Sequence, residues 1–184
     1  LFIFKKLQHM IHLHDKTFER FISAEEIDFA IANMAKQMDD DFFDDVPVFI
    51  GVLNGSFMVL SDLMKHYRGM CEVSFVKVAS YSGTESTNEV KELIGINENL
   101  EGKTVVIVED IIDTGNTIVV LKEMFRQLNV KHLKIATLFL KPDAYKKDIK
   151  IDYVGMRIPD KFIVGFGLDY DGLGRNLADV YQLA

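Results

Sequence analysis

Apolar residues follow two different periods along this chain, and the places where the period changes predict its elements. Ile27, Ala30, Ile31, Met34 and Met38 recur at helical spacing behind Ser23-Ala24-Glu25-Glu26, a capping-box pattern that starts a helix. The acidic run D-D-D-F-F-D-D at 39–45 reads as a loop, and V-P-V-F-I-G-V-L at 46–53 as a buried strand. After Asn54-Gly55-Ser56, the positions of Met58, Leu60, Leu63 and Met64 mark a second helix, and a strand covers 72–79. A strand at 104–109 leads into a helix carrying Ile118, Leu121, Met124, Phe125 and Leu128. Further strands are expected at 132–140, 151–157 and 162–166. Strands that are almost continuously apolar and alternate with helices predict an α/β fold, a mostly parallel twisted sheet flanked by helices.

One stretch breaks this pattern. Residues 80–101 are largely polar, with a short strand expected near 89–96. A polar segment of this length inside a compact domain is usually a functional lid or a loop without fixed structure. In parallel sheets, ligands bind beyond the carboxyl ends of the strands. Asn54-Gly55, Asp110 to Thr117, Lys141 and Asp169 all follow predicted strands, so they are expected to meet on one edge.

Composition narrows the partners. The 184 residues suit a single domain, and 48% of them are hydrophobic, enough for a substantial core. A net charge of −7 argues against nucleic-acid binding, and no basic amphipathic helix suggests a membrane surface. The lone cysteine, Cys71, excludes an internal disulfide and fits a reducing, cytoplasmic setting. Residues 1–9 read as an extension ahead of a start near Met10. His12 and His14 alternate on a strand-like segment, with no third metal ligand nearby, and read as structural.

The chemistry concentrates in V-V-I-V-E-D-I-I-D-T-G-N-T, residues 105–117. A strand feeding Thr114-Gly115-Asn116-Thr117 at the start of a helix offers free backbone N–H groups, two hydroxyls and a close backbone approach, which suits a phosphate monoester. The triphosphate-loop pattern is absent. Glu109 and Asp110 sit one step back, where a sugar on that phosphate would lie. They can accept hydrogen bonds from vicinal hydroxyls or hold a cation. Asp113, closest to the turn, is placed to exchange a proton with a reacting base. The combination describes a site for a ribose 5-phosphate.

This run resembles the phosphoribosyl pyrophosphate signature of the type I phosphoribosyltransferases. With V-L-N-G-S-F-M at 52–58, I-P-D-K-F-I-V-G-F-G-L-D-Y at 158–170 and Arg175 beyond, the chain from about Asp15 onward is similar to the hypoxanthine (hypoxanthine-guanine) phosphoribosyltransferases. The resemblance implies their fold, with a small hood built from the N- and C-terminal segments, and joining of a 6-oxopurine to phosphoribosyl pyrophosphate. It implies that Asp113, Thr114, Gly115, Asn116 and Thr117 hold the 5-phosphate, and that Glu109 and Asp110 hold the ribose hydroxyls and Mg²⁺. Asp113 would also act as general base or acid at purine N7. Lys141 would donate to the purine 6-oxygen, Phe162 would stack on the ring, and backbone around Ile163 would read its edge. Asp169 would bind a second Mg²⁺ on the pyrophosphate side and help read the purine, and Arg175 would bind the pyrophosphate. Asn54-Gly55 matches the first pyrophosphate loop, where the family has a non-proline cis peptide and many members carry a basic residue at the position of Asn54. Ser80-Tyr81 matches the start of a catalytic lid, and relatives assemble as dimers or tetramers. A regulator of the same fold that senses phosphoribosyl pyrophosphate is the alternative, disfavoured by the complete set of base-side residues.

Overall fold

The computed structural model describes residues 10–78, 92–94, 96 and 99–184. It builds two sheets, and the larger has the strand order β5-β4-β3-β6-β7-β8. These strands are β3 (Val48–Val52), β4 (Glu72–Val78), β5 (Glu92–Ile94), β6 (Thr104–Ile112), β7 (His132–Leu140) and β8 (Tyr153–Arg157). All neighbours run parallel except β4 and β5.

Period-two alternation explains why the central strands read as unbroken apolar runs. In β6, Val106 and Val108 join the core formed with helices α1 (Ala24–Asp41) and α2 (Phe57–His66), which includes Ile31, Met34, Leu60 and Leu63. Val105 and Ile107 point the other way, to Leu121 and Phe125 of helix α3 (Asn116–Arg126). A strand covered on both faces has no polar side left for the pattern to show.

Helix α1 begins as its cap predicts. The Glu26 N–H donates to Ser23 Oγ at 3.2 Å, and the Ser23 N–H donates to the Glu26 carboxylate at 2.8 Å. Its end differs from the expectation of a loop at 39–45, because Asp39, Asp40 and Asp41 continue the helix before the chain turns at Phe42. Buried Met38 and Phe42 anchor this last turn, and burial outweighs the poor helix propensity of the aspartates.

The second sheet has the order β1-β2-β10-β9 and is antiparallel throughout. It joins an N-terminal hairpin, β1 (Met10–Leu13) and β2 (Lys16–Ile22), to β9 (Ile163–Val164) and β10 (Val180–Leu183) near the C-terminus. This is the hood that the resemblance implies. Ile22, Ile163, Phe166 and Val180 merge into the core under α1, so the hood is packed onto the main sheet. Arg20 ties the two ends of the chain together through Asp179, with Nε to Oδ2 at 3.1 Å. Strand β9 is shorter than the 162–166 expected, because Gly165 and Phe166 adopt φ of 104° and 46° and turn the chain.

Residues 79–91, which hold Ser80 and Tyr81, lie outside the described residues, as do residues 1–9. Among the described residues no helix is long and apolar enough to cross a membrane. The reciprocal cap of α1 makes a direct prediction. Ser23→Ala should lower the unfolding free energy by about 1 kcal/mol in chemical denaturation, and Ser23→Asp should recover most of it.

Candidate active site

The site begins at the carboxyl end of β6. Sequence reasoning ended this strand at 109, but pairing continues through Ile111↔Phe139 and Ile112↔Leu140, so Glu109 and Asp110 lie inside the strand. The acidic residues interrupted the apolar pattern, and the ladder to β7 overrides that interruption. Because β6 is central, Glu109 is only 5% exposed. Burial, and then the charge of Asp110, push the Glu109 pKa well above the ordinary carboxylate value. Burial likewise raises Asp110 to about 6, although its carboxylate accepts the Ile111 N–H at 2.8 Å and Arg175 lies near enough to oppose the shift. Neither carboxylate forms an ion pair with a described residue. Two buried hard oxygen donors without a cation suit ribose hydroxyls and Mg²⁺, which takes one or two carboxylates and fills its remaining positions with water and substrate oxygens.

The phosphate turn follows directly. Gly115 is the N-cap of α3 at φ 81°, a conformation that favours glycine, and no side chain caps the helix. The first-turn N–H groups are thus left for a ligand. Thr114 and Asn116 are exposed and Thr117 half-buried, while Tyr145 packs so closely over Gly115 that a Cβ there would overlap its ring.

Lys141 comes next, one residue past the end of β7. It is buried, and its ammonium donates to Asp113 Oδ2 at 2.9 Å and to Asp160 Oδ1 at 3.1 Å. Burial alone would lower its pKa, but the hydrogen bonds to Asp113 and Asp160 prevail, and the net shift is upward. Asp113 and Lys141 therefore stand side by side as acceptor and donor. Asp160 was not singled out from sequence. Its position in the Pro159-Asp160-Lys161 turn just beyond the β8 edge was the available signal.

From the other side, the peptide between Leu53 and Asn54 is cis, and Gly55 lies against Asp110 so tightly that a Cβ would overlap the carboxylate. Gly167, at φ 96°, presses on the Gly55 carbonyl, where a Cβ would collide. The hood thus reaches the Asn54-Gly55 loop through two glycines in backbone contact. Arg175 is held there by Asp169 at 2.6 Å and by the Gly167 carbonyl at 2.7 Å. The other Asp169 oxygen accepts the Gly172 N–H at 2.7 Å. Phe162 is 46% exposed, backed by Phe18 and by Tyr170, whose ring stands edge-on at 5.8 Å. Ile163 is buried in β9 opposite Gln182. The structure thus brings Asn54, Gly55, Glu109, Asp110, Asp113, Lys141, Asp169 and Arg175 to one edge, with the phosphate turn next in the chain. His12 and His14 do not reach it. The His12 ring contacts the Thr17 hydroxyl, and that of His14 contacts the Asp171 carbonyl.

Fold and edge together define a type I phosphoribosyltransferase, and the phosphoribosyl transferase domain model matches residues 21–171. The hypoxanthine-guanine phosphoribosyltransferase of Bacillus subtilis is 42% identical over 157 residues, covering 85% of this chain and 87% of its own. That of Streptococcus pyogenes is 46% identical over 145 residues, covering 78% and 81%. A crystal structure of a hypoxanthine-guanine phosphoribosyltransferase from Bacillus anthracis superposes with a TM-score of 0.85 at 40% identity, covering 90% of this chain and 98% of that one. The chain belongs to the phosphoribosyltransferase family, among its hypoxanthine-guanine members.

The raised Asp110 pKa has a sign that can be tested. The folded state holds this proton more tightly than the unfolded chain, so stability falls as pH rises from about 4 to about 6, and the full cost remains above that. Asp110→Asn should therefore stabilise the ligand-free protein at pH 7, by up to about 3 kcal/mol, and little at pH 4. Denaturation curves for both proteins at the two pH values check this.

Proposed function

We propose that the chain transfers the 5-phosphoribosyl group of phosphoribosyl pyrophosphate to N9 of hypoxanthine and guanine, forming the nucleoside monophosphate and pyrophosphate in purine salvage. The observation that carries the reading is the Lys141–Asp113 pair, a buried ammonium beside a half-exposed carboxylate at the edge where the phosphate turn begins.

A 6-oxopurine presents an acceptor, O6, next to a ring nitrogen that can carry a proton, N7. Lys141 donates to the first and Asp113 accepts from the second. Adenine presents an amino group at position 6, which a lysine ammonium cannot satisfy, so the pair selects oxopurines. Asp160 holds Lys141 from the other side and keeps its ammonium charged. Phe162, supported from behind, offers its face to the base, and the β9 backbone at Ile163 reads the ring edge.

The N9–C1 bond forms as the bond from C1 to pyrophosphate breaks, and the N7 proton passes to Asp113. The turn from Thr114 to Thr117 fixes the 5-phosphate. Glu109 and Asp110 orient the ribose hydroxyls, while Asn54-Gly55 and Arg175 face the departing pyrophosphate. Glu109, Asp110 and Asp169 would hold Mg²⁺, which neutralises charge on the pyrophosphate when bound. Ser80 and Tyr81 would begin a lid that excludes water from the reacting C1. A reducing cytoplasm suits the free thiol of Cys71, whose pKa burial raises and whose Sγ contacts Met64 Sδ at 3.6 Å. Assembly into dimers or tetramers follows from the family.

Chromatography of reactions containing phosphoribosyl pyrophosphate, Mg²⁺ and a single base should show inosine and guanosine monophosphates from hypoxanthine and guanine, and no adenosine monophosphate from adenine. Binding of phosphoribosyl pyrophosphate with no nucleotide formed would favour a sensor instead. Lys141→Ala should raise the purine KM on the order of tenfold or more, with a much smaller change for phosphoribosyl pyrophosphate. An equal effect on both substrates would remove Lys141 from base recognition. Asp113→Asn should reduce kcat by roughly 10²–10⁴-fold while the melting curve stays close to wild type; retained turnover would exclude the proton-transfer role.

A further inference from the structure

Resting on the transferase reading, we infer that Lys77 is a pyrophosphate-binding residue, supplying from β4 the side-chain charge that Asn54 lacks. Two other cations of this edge are already engaged. Lys141 is shared between two carboxylates, and Arg175 is held by Asp169 and the Gly167 carbonyl. Asn54 itself is exposed and neutral. A polyanion arriving at the Asn54-Gly55 loop thus meets the Glu109, Asp110 and Asp169 carboxylates with one arginine already paired to one of them.

The register of β3 and β4 resolves this shortage. Val52 pairs with Val76, and the Leu53 N–H donates to the Val76 carbonyl at 2.8 Å, so the residue after Val76 comes level with the loop. Val76 is fully buried, and by strand alternation Lys77 leaves the opposite face. Its ammonium reaches Asn54 Oδ1 at 3.2 Å. No carboxylate whose side chain is described pairs with it. A neutral amide neutralises none of its charge, so the ammonium can keep this bond and still offer its other N–H groups to a phosphate oxygen. The cation comes from an adjacent strand, a position that chain order does not reveal.

The test uses the full chain and two readouts: calorimetric binding of magnesium pyrophosphate, and the KM values of both substrates. Lys77→Met should weaken pyrophosphate binding and raise the phosphoribosyl pyrophosphate KM on the order of tenfold, leaving the purine KM within about twofold. Lys77→Arg should keep most of the affinity, and raising ionic strength should cost the wild type more than Lys77→Met. Moving the cation back with Asn54→Lys in the Lys77→Met background should restore binding. Unchanged pyrophosphate affinity in Lys77→Met would overturn the inference, as would equal loss of purine and pyrophosphate binding. Wild-type protein that binds pyrophosphate but forms no nucleotide would instead refute the transferase reading, and the calorimetric comparison would still decide the role of Lys77.

Discussion

The burial of Glu109 and Asp110 at the end of β6 is the constraint around which the rest of this molecule is arranged. Two adjacent carboxylates are taken out of water with no ion-pair partner among the described residues, and their pKa values rise in response. Such an arrangement costs stability and persists only if the surrounding structure supplies the difference. Here the difference comes from β6 itself, whose apolar residues are covered by helices on both faces and whose edges are both paired. A strand covered on both faces thus carries two carboxylates whose charged forms burial disfavours.

The neighbouring glycines follow from the same constraint. Gly55 has no room for a side chain because the Asp110 carboxylate occupies that space, and Gly167 has none because the Gly55 carbonyl does. A contact chain therefore runs from β6 through the first loop to the hood. It sets where Asp169 and Arg175 stand relative to the buried pair. The hood sheet, closed by the pairing of β2 with β10, fixes the far end of that chain. Joining the two ends of the polypeptide in one small sheet is thus how Asp169 and Arg175 are held over the same strand edge as Asp110.

Much of this was legible in the sequence. The central strands announced themselves because burial on both faces leaves unbroken apolar runs, and the α1 start because its cap is a local motif. The strand-to-helix turn at 114–117 was legible for the same reason, since its strand, glycine and helix are consecutive. What escaped depends on contacts between distant segments. The last residues of β6 were hidden because Glu109 and Asp110 look like a loop unless the ladder to Phe139 and Leu140 is known. The aspartates closing α1 were misread because burial of Met38 and Phe42, rather than propensity, keeps them helical. The hood hairpin was poorly marked because its strands are short and half-exposed. Asp160 was missed because it belongs to no local motif and meets Lys141 only once β7 and β8 are paired.

A protein with a net charge of −7 that binds a polyanion has to solve a problem of distribution rather than of total charge. At this edge the buried lysine and the arginine are both paired with carboxylates. Lys141 is neutralised by two aspartates and Arg175 by one, so the resting edge is acidic and hydrogen-bonded. The turn from Thr114 to Thr117 presents backbone N–H groups, which carry no net charge and attract no competing carboxylate. The hydrogen bond between Lys141 and Asp113 already joins a donor to an acceptor. An edge whose charges are already hydrogen-bonded discriminates by pattern, because such bonds are traded without loss only for a ligand that offers matching donors and acceptors.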